Sequence, residues 1–442
     1  MHMRSLALMA VLWWMPMAAA VAFDAPAAIA SAPSDVRIVE QDGHYRLLVN
    51  GEPFHVKGAG LASGDQETLA ARGGNSLRTW STGDDRAQVL AMLDRAQRNG
   101  LMVAMGIAVG NERHGFDYDD AAAVAAQLRR IEAEVRLYKD HPAVLMWVVG
   151  NELNLEYRNP DVWNAVGAIA DMIHQVDPRH PVMTTLAGFD KPLIDLLKAR
   201  APSLDLIGIQ LYGDLSALPE KLRDSGWTGP YVVTEWGPTG HWESPLTRWN
   251  APIEDDASRK AALLIERYQN YIASDTRQGL GSYVFLWGNK QERTPTWYGL
   301  FLPSGQSTPG VDAMQFLWTG RWPDNRAPSI APITIDGRAA TDSVTLKPKG
   351  AYEARVSASD AEGDRLTYRW KVLEESTATS IGGDPEAVPP QVMVKTEAGD
   401  EGTLRFSAPR RPGQYRLFVE VDDGHGHAAY ANFPFQVANA AP

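Results

Sequence analysis

The sequence predicts an α/β chain: a (β/α)8 TIM barrel followed by a C-terminal all-β sandwich. Three observations carry this expectation. Strand-like and helix-like segments alternate from Phe54 to Trp318. Two apolar, β-branched runs, W-V-V-G-N-E (Trp147 to Glu152) and Y-V-V-T-E-W-G (Tyr231 to Gly237), place a glutamate abruptly at a strand tip. After Trp322 the composition shifts to short alternating strands with frequent turns. Repeated βα units imply a parallel sheet, and buried parallel strands read as near-continuous apolar runs.

The elements follow in order. Val36 to Val49, broken at Asp42-Gly43 and closed by Asn50-Gly51, reads as a hairpin. Barrel strands are expected at Phe54–Gly60, Asn75–Trp80, Leu101–Val109, Val144–Gly150, Pro181–Leu186, Leu204–Tyr212, Tyr231–Thr234 and Ser282–Trp287. Between them, helical periodicity runs over Asp84–Asn99, stopped by Gly100, and over Asp119–Lys139. Pro160 suits a first helical turn and opens a helix to about Val176. Further helices are expected at Lys191–Ala199, Pro219–Asp224, Asp256–Ser274 and Val311–Trp318. Eight strands alternating with helices or helix-sized connections fit a closed barrel better than an open sheet. No Gly-rich phosphate loop follows the first strand, which disfavours the doubly wound alternative.

Boundaries come from composition. Arg4, the apolar Ser5 to Met17 and the small residues of Ala18 to Ala22 read as a signal peptide over residues 1–22, with a retained anchor as the alternative. An Ala/Pro-rich tether covers 23–33, the barrel domain 34–322 and a linker marked by Pro323, Pro328 and Pro332 covers 323–332. The sandwich takes 333–442, with strands such as Tyr352–Ala358, Leu366–Leu373, Thr403–Phe406 and Tyr415–Val421. The reading is of an exported chain, periplasmic or secreted, with no integral membrane span after signal cleavage. A net charge of −12 without a basic run argues against nucleic acid or anionic membrane as a partner. The absence of cysteine excludes thiol catalysis and disulfides.

A carboxylate at the C-terminal tip of a barrel strand sits where barrel enzymes place their chemistry. Glu152 and Glu235 are 235 − 152 = 83 residues apart, room for three βα units. Paired carboxylates are the machinery of glycoside hydrolysis, so both are the candidate catalytic residues and an oligo- or polysaccharide is the expected partner. A strand-end glutamate also serves as a structural ion-pair partner, and that reading weakens when two stand at matching tips. Trp236, His241, Trp242, Trp297 and Tyr298 follow strands seven and eight and are expected to rim the cleft. His114, Glu112 and Asp117 fit a solvated loop, and no histidine spacing suggests a metal. No cofactor is expected.

These motifs resemble clan A of the retaining glycoside hydrolases, whose acid/base and nucleophile glutamates end the fourth and seventh strands. Asn151-Glu152 matches the acid/base motif and Thr234-Glu235-Trp236-Gly237 the nucleophile motif. G-G-N-S-L-R-T-W, Gly73 to Trp80, resembles the second-strand motif whose arginine supports the nucleophile, here Arg78. The resemblance also implies that Tyr212 hydrogen-bonds the nucleophile, that Asn151 binds a sugar hydroxyl, and that Trp287 floors the subsite of cleavage. Trp80, Trp236, His241 and Trp242 join them as substrate-binding residues. The W-x-x-G-N-E form is most similar to the barrel domain of glycoside hydrolase family 2. Before the barrel, however, stands only the hairpin from Val36, where that family carries jelly-roll and sandwich domains. Families 17 and 72 carry related G-N-E signals, and the proline that follows this glutamate in family 5 is replaced by Leu153. The C-terminal part resembles Ig-like or cadherin-like modules through Asp360 to Trp370.

The implied function is a retaining β-glycoside hydrolase acting on β-glucan or related oligosaccharides. A transglycosylase with the same glutamates and a non-catalytic sugar-binding envelope protein are the alternatives. The cluster Asp360, Glu362 and Asp364 fits a solvated turn better than a calcium site. The sandwich, with no paired carboxylates, is expected to supply attachment, spacing or stability. A chain cut near Asn325 is then expected to keep activity on small substrates.

Overall fold

A computed structural model of the chain describes residues 32–61, 64–399 and 401–438. The predicted signal peptide and nearly all of the tether lie outside the described residues. Eight parallel strands close into a barrel: β1 (Val56–Leu61), β2 (Ser76–Arg78), β3 (Met102–Ile107), β4 (Val144–Asn151), β5 (Val182–Ala187), β6 (Leu206–Gln210), β7 (Tyr231–Trp236) and β8 (Gly279–Trp287). Each is followed by a helix: α1 (Gln66–Ala71), α2 (Arg86–Arg98), α3 (Ala121–Tyr138), α4 (Asp161–Val176), α5 (Lys191–Arg200), α6 (Leu218–Ser225), α7 (Ala257–Arg267) and α8 (Pro309–Thr319). The helices begin where a short oxygen side chain accepts the first free backbone N–H groups. Asp85, Asp120, Asp190, Asp256 and Thr308 cap α2, α3, α5, α7 and α8 in this way. Among the described residues no helix is long and apolar enough to cross a membrane.

Side chains alternate along each strand between two layers. Ala104, Met146, Val148 and Met183 face the barrel interior. Val103, Met105, Trp147 and Val149 pack outward against the helices. A three-stranded antiparallel sheet (Val36–Gln41, His44–Val49, Glu52–Phe54) plugs the barrel floor. Val36 and Leu47 join the interior core, and Val36 N donates to Arg179 O at 2.9 Å, just before β5. The mouth at the other end stays open.

The tips of β4, β7 and β8 break register with a neighbouring strand, after Val148, Val233 and Val284 respectively. An irregularity of this kind re-aims the side chains beyond it. Along β7, Val232 faces inward and Val233 outward, yet Trp236 also faces outward. The shift turns Glu235 into the mouth instead.

The C-terminal module pairs a four-stranded with a five-stranded sheet, built on the long hairpin Gly413–Asp422 and Ala428–Val437. Both sheets share one core, with Leu404 and Phe406 from one and Leu417, Val419 and Phe433 from the other. That core also takes in Ala257 of α7 and Leu302 of the barrel's last loop. Beside it, Lys260 Nζ of α7 donates to Glu254 at 2.5 Å and to Tyr430 Oη of the module at 3.3 Å. Glu254 in turn accepts from Asn432 Nδ2 at 2.6 Å. Arg416 Nη2 reaches back to Pro252 O at 2.7 Å, while its guanidinium pairs with Glu375 at 2.9 Å. Each buried ion pair lies within one half and reaches across the seam by hydrogen bonds, which tie the halves together because their loss leaves buried polar groups short of partners. The barrel and the module thus share a core and cross-seam hydrogen bonds, where the sequence reading expects a self-sufficient barrel with an accessory sandwich.

Candidate active site

The tips of the strands converge on a cavity of about 710 Å3. Arg78, fully buried at the end of β2, organises it. Its Nη1 donates to Thr234 O at 2.9 Å and to Glu235 Oε1 at 3.0 Å, and its Nη2 donates to Asn151 Oδ1 at 2.7 Å. One guanidinium thus fixes the tips of β4 and β7 together. Asn151 Oδ1 also accepts from Gln210 Nε2 at 2.9 Å and Thr185 Oγ1 at 3.2 Å, which orients its amide in the cavity wall.

Glu235 receives two further donors. Trp80 Nε1 reaches Oε1 at 2.9 Å and Tyr212 Oη reaches Oε2 at 3.1 Å. Three donors, one of them cationic, hold the carboxyl in one orientation. Glu152 is in a different environment. Burial and the nearby Glu235 charge push its carboxyl up to about 8, against the pull of Arg78 and Arg113. Its backbone takes a left-handed conformation at φ 50°, uncommon outside glycine and characteristic of functional sites. The two carboxyl groups therefore share one cavity in unlike surroundings.

Aromatic rings line the opposite wall. Phe285 stands edge-on to Trp80 and Tyr212, and Tyr212 to Trp242, which is 60% exposed. Trp297 and Tyr298 form a buried layer behind them rather than the rim. A third carboxylate, Glu292, lies in the same wall with Lys290 Nζ at 2.8 Å and His241 Nε2 at 3.6 Å. Burial raises its pKa, but hydrogen bonding to His241 and the Lys290 charge hold it below the ordinary range. A second cavity of about 510 Å3, lined by Ala108 to Asn111 and His114 to Phe116, adjoins the first and shares Trp80 and Asn151 with it.

Arg78, Trp80, Asn151, Glu152, Tyr212, Glu235, His241 and Trp242 thus come together. Two predicted site residues do not. Trp236 packs outward on Tyr268 at 5.8 Å. Trp287 is buried among Phe301 and Trp318, its Nε1 donating to Asp65 O at 3.0 Å. Phe285, two residues earlier, lines the cavity where Trp287 was expected, because the irregular tip of β8 turns Trp287 to the helices. His114 is no free loop residue either, since its Nε2 lies 3.1 Å from Asp384 Oδ1. The sequence reading also omits Gln210, Lys290 and Glu292, which carry no motif of their own. In the module, Asp360 Oδ1 accepts the backbone N–H groups of Glu362, Gly363 and Asp364 at 2.8–3.0 Å, a closed acidic turn. Carboxylate oxygens of Asp360, Asp364 and Asp423 approach within 4.8 Å of one another.

Residues 65–240 match the family model for glycosyl hydrolases family 2, TIM barrel domain. Over that stretch the barrel is similar to the family 2 barrel domain. The resemblance read from W-x-x-G-N-E agrees with this match. Among solved structures, Bifidobacterium dentium β-glucuronidase complexed with coumarin-3-O-glucuronide is 18% identical with a TM-score of 0.51, covering 66% of this chain and 50% of that one. Bacteroides uniformis β-glucuronidase 2, covalently bound to cyclophellitol-6-carboxylate aziridine, is 14% identical with a TM-score of 0.50, covering 92% of this chain and 48% of that one. At such identity these likenesses speak to fold. The chain spans about half the length of these structures. No curated protein matches it.

The fork of Arg78 yields a direct test. A lysine ammonium cannot hold Glu235 and Asn151 at once. Arg78→Lys is expected to lower kcat on the order of 10^2-fold, the usual cost of one preorganised donor. Tyr212→Phe keeps the ring contacts and loses one bond, for a fall of about tenfold. Unchanged steady-state kinetics in Arg78→Lys would detach this arginine from the chemistry.

Proposed function

We propose that the chain is a retaining β-glycoside hydrolase, exported from the cell, acting on β-glucan or related oligosaccharides. The observation that carries this reading is the contrast between Glu235, held by three donors, and Glu152, kept protonated beside it. Glu235 attacks the anomeric carbon as Glu152 gives its proton to the departing oxygen, leaving a glycosyl ester on Glu235. Ester formation removes the negative charge that helped keep Glu152 protonated. Glu152 then takes a proton from water, the hydroxide oxygen attacks the anomeric carbon, and Glu235 leaves as a carboxylate. Two displacements return the original configuration. The aromatic wall suits sugar faces, and the adjoining cavities give a cleft in the size range of small-molecule sites, extended along one side.

Turnover of a panel of β-linked oligosaccharides, polysaccharides and aryl glycosides tests the reading, with products analysed with and without added acceptor sugar. Reducing sugar released with retained configuration supports hydrolysis. Transfer products would move the enzyme to the transglycosylase alternative, and binding without turnover would overturn catalysis. Export rests on the apolar segment Ser5 to Met17, and N-terminal sequencing of protein recovered outside the cytoplasm tests it.

Glu152 also sets a pH dependence. It must be protonated to release the leaving group, so kcat/KM is expected to fall as pH rises through about 8. Dinitrophenyl glycosides, whose leaving group needs no proton, are expected to lose that alkaline limb. An alkaline limb identical for both substrate types would assign the titration to another group.

A further inference from the structure

The cavity wall is completed by the C-terminal module. The segment between its strands Thr367–Glu374 and Gln391–Val392 crosses to the barrel mouth, where Ile381, Gly382 and Gly383 line the same cavity as Glu152 and Glu235. It is fastened there by three barrel cations. Arg113 Nη1, after β3, donates to Asp384 Oδ2 at 2.8 Å and to Ile381 O at 3.2 Å. Lys290 Nζ, after β8, donates to Gly383 O at 2.7 Å. Arg293 pairs with Glu386 at 2.8 Å and donates to Ser380 O at 3.0 Å.

The seat is close. Gly382 and Gly383 have φ of 57° and 74°. A Cβ on Gly382 would lie 2.7 Å from Leu155 Cδ2 and 2.9 Å from Arg113 Nη2, and one on Gly383 would lie 2.6 Å from Lys290 Nζ. Only glycine lets the backbone lie flush there without displacing a neighbour. Leu155 is tied to the acid/base residue, its N donating to Glu152 O at 2.9 Å. Arg113, which grips the segment, is one of the charges acting on the Glu152 carboxyl. Ile381 keeps 36% of its surface open, a large apolar side chain left uncovered beside the cleft.

We propose that Ile381 to Gly383 form an apolar leaving-group subsite, so that the C-terminal module selects which aglycone or following sugar the enzyme accepts. This deepens the proposed function and rests on it, because Glu152 identifies the leaving-group side only if it is the acid. An apolar edge beside the departing oxygen favours an aryl group or the apolar face of a second sugar over a small polar group.

The test uses the full-length chain and two probes bearing the same sugar. One is the 4-methylumbelliferyl β-glycoside, whose aryl group fills the subsite, and the other the β-glycosyl fluoride, whose leaving group barely enters it. Ile381→Ala is expected to lower the ratio of kcat/KM for aryl glycoside over fluoride by about tenfold, in line with losing methylenes from an apolar pocket. Ile381→Val trims less and is expected to shift the ratio in the same direction by a smaller factor. It keeps the test open if thermal melting shows that the alanine variant is poorly folded. An unchanged ratio in folded variants would overturn the subsite, as would an equal loss on both probes. If wild type turned over neither probe nor any member of the glycoside panel, the proposed function would fall, and the subsite with it.

Discussion

Glu235→Ala is expected to abolish turnover of every glycoside, a loss on the order of 10^5-fold or more in kcat, as for other covalent nucleophiles. Azide is expected to restore activity, because a small anion fits the space left by the carboxylate and attacks the anomeric carbon directly. The product would be a glycosyl azide of inverted configuration. Glu152→Ala is expected to behave differently. Substrates with dinitrophenolate leaving groups, which depart without a proton, keep their first step, while natural glycosides lose it. Azide then intercepts the ester on Glu235 and gives a product of retained configuration. The opposite pattern in the two variants would exchange the roles of Glu152 and Glu235. Bond lengths alone do not make this assignment. It follows from environment: Glu235 gathers Arg78, Trp80 and Tyr212, whereas Glu152 is dominated by burial and by repulsion from Glu235.

The second large effect concerns the chain cut before residue 325. Such a truncate is expected to be insoluble or inactive, even on small aryl glycosides. Cutting there removes Tyr430 and Asn432 from the Lys260–Glu254 pair and uncovers Ala257 and Leu302. Leaving a buried polar or charged group short of a hydrogen-bond partner costs about 1–3 kcal/mol each. That is a large share of the roughly 5–15 kcal/mol that holds a domain folded. The same cut deletes Ile381 to Gly383 from the cavity wall. Size-exclusion chromatography, thermal melting and aryl-glycoside kinetics check it. A monodisperse truncate with the full-length kcat/KM would sink the claim.

Much of the fold is legible in the sequence, and the reasons are physical. A strand buried on both faces must be apolar along its whole length, so Val144 to Gly150 and Tyr231 to Thr234 announce themselves. A charged residue that interrupts such a run has no place but the tip, which makes Glu152 and Glu235 visible. Arg78 is legible through its motif. The direction of side chains beyond an irregular tip is not. Plain alternation from Tyr283 carries Phe285 and Trp287 inward together, whereas the register shift after Val284 sends Trp287 to the helices and leaves Phe285 in the cavity. Trp236 is misread for the same reason. The contribution of the module is hidden for another. Ile381-Gly382-Gly383 reads as an ordinary turn in a β-rich segment, yet Ile381 lies 268 residues past Arg113 and Gly383 lies 93 past Lys290. Nothing local in sequence marks a contact fixed by how two folded halves dock.

The sheet that plugs the barrel floor has a directional consequence. Ser34 and Val36 are fastened to the ends of β4 and β5 remote from the mouth, Ser34 Oγ to Val144 O at 2.7 Å and Val36 N to Arg179 O at 2.9 Å. Ser34 thus stands at the end of the barrel opposite the cleft. A bead, an affinity tag or a surface coupled there holds the protein with its cleft turned toward bulk solution. Immobilised in that orientation, the protein keeps its cleft open to a polymer too long to diffuse beneath it.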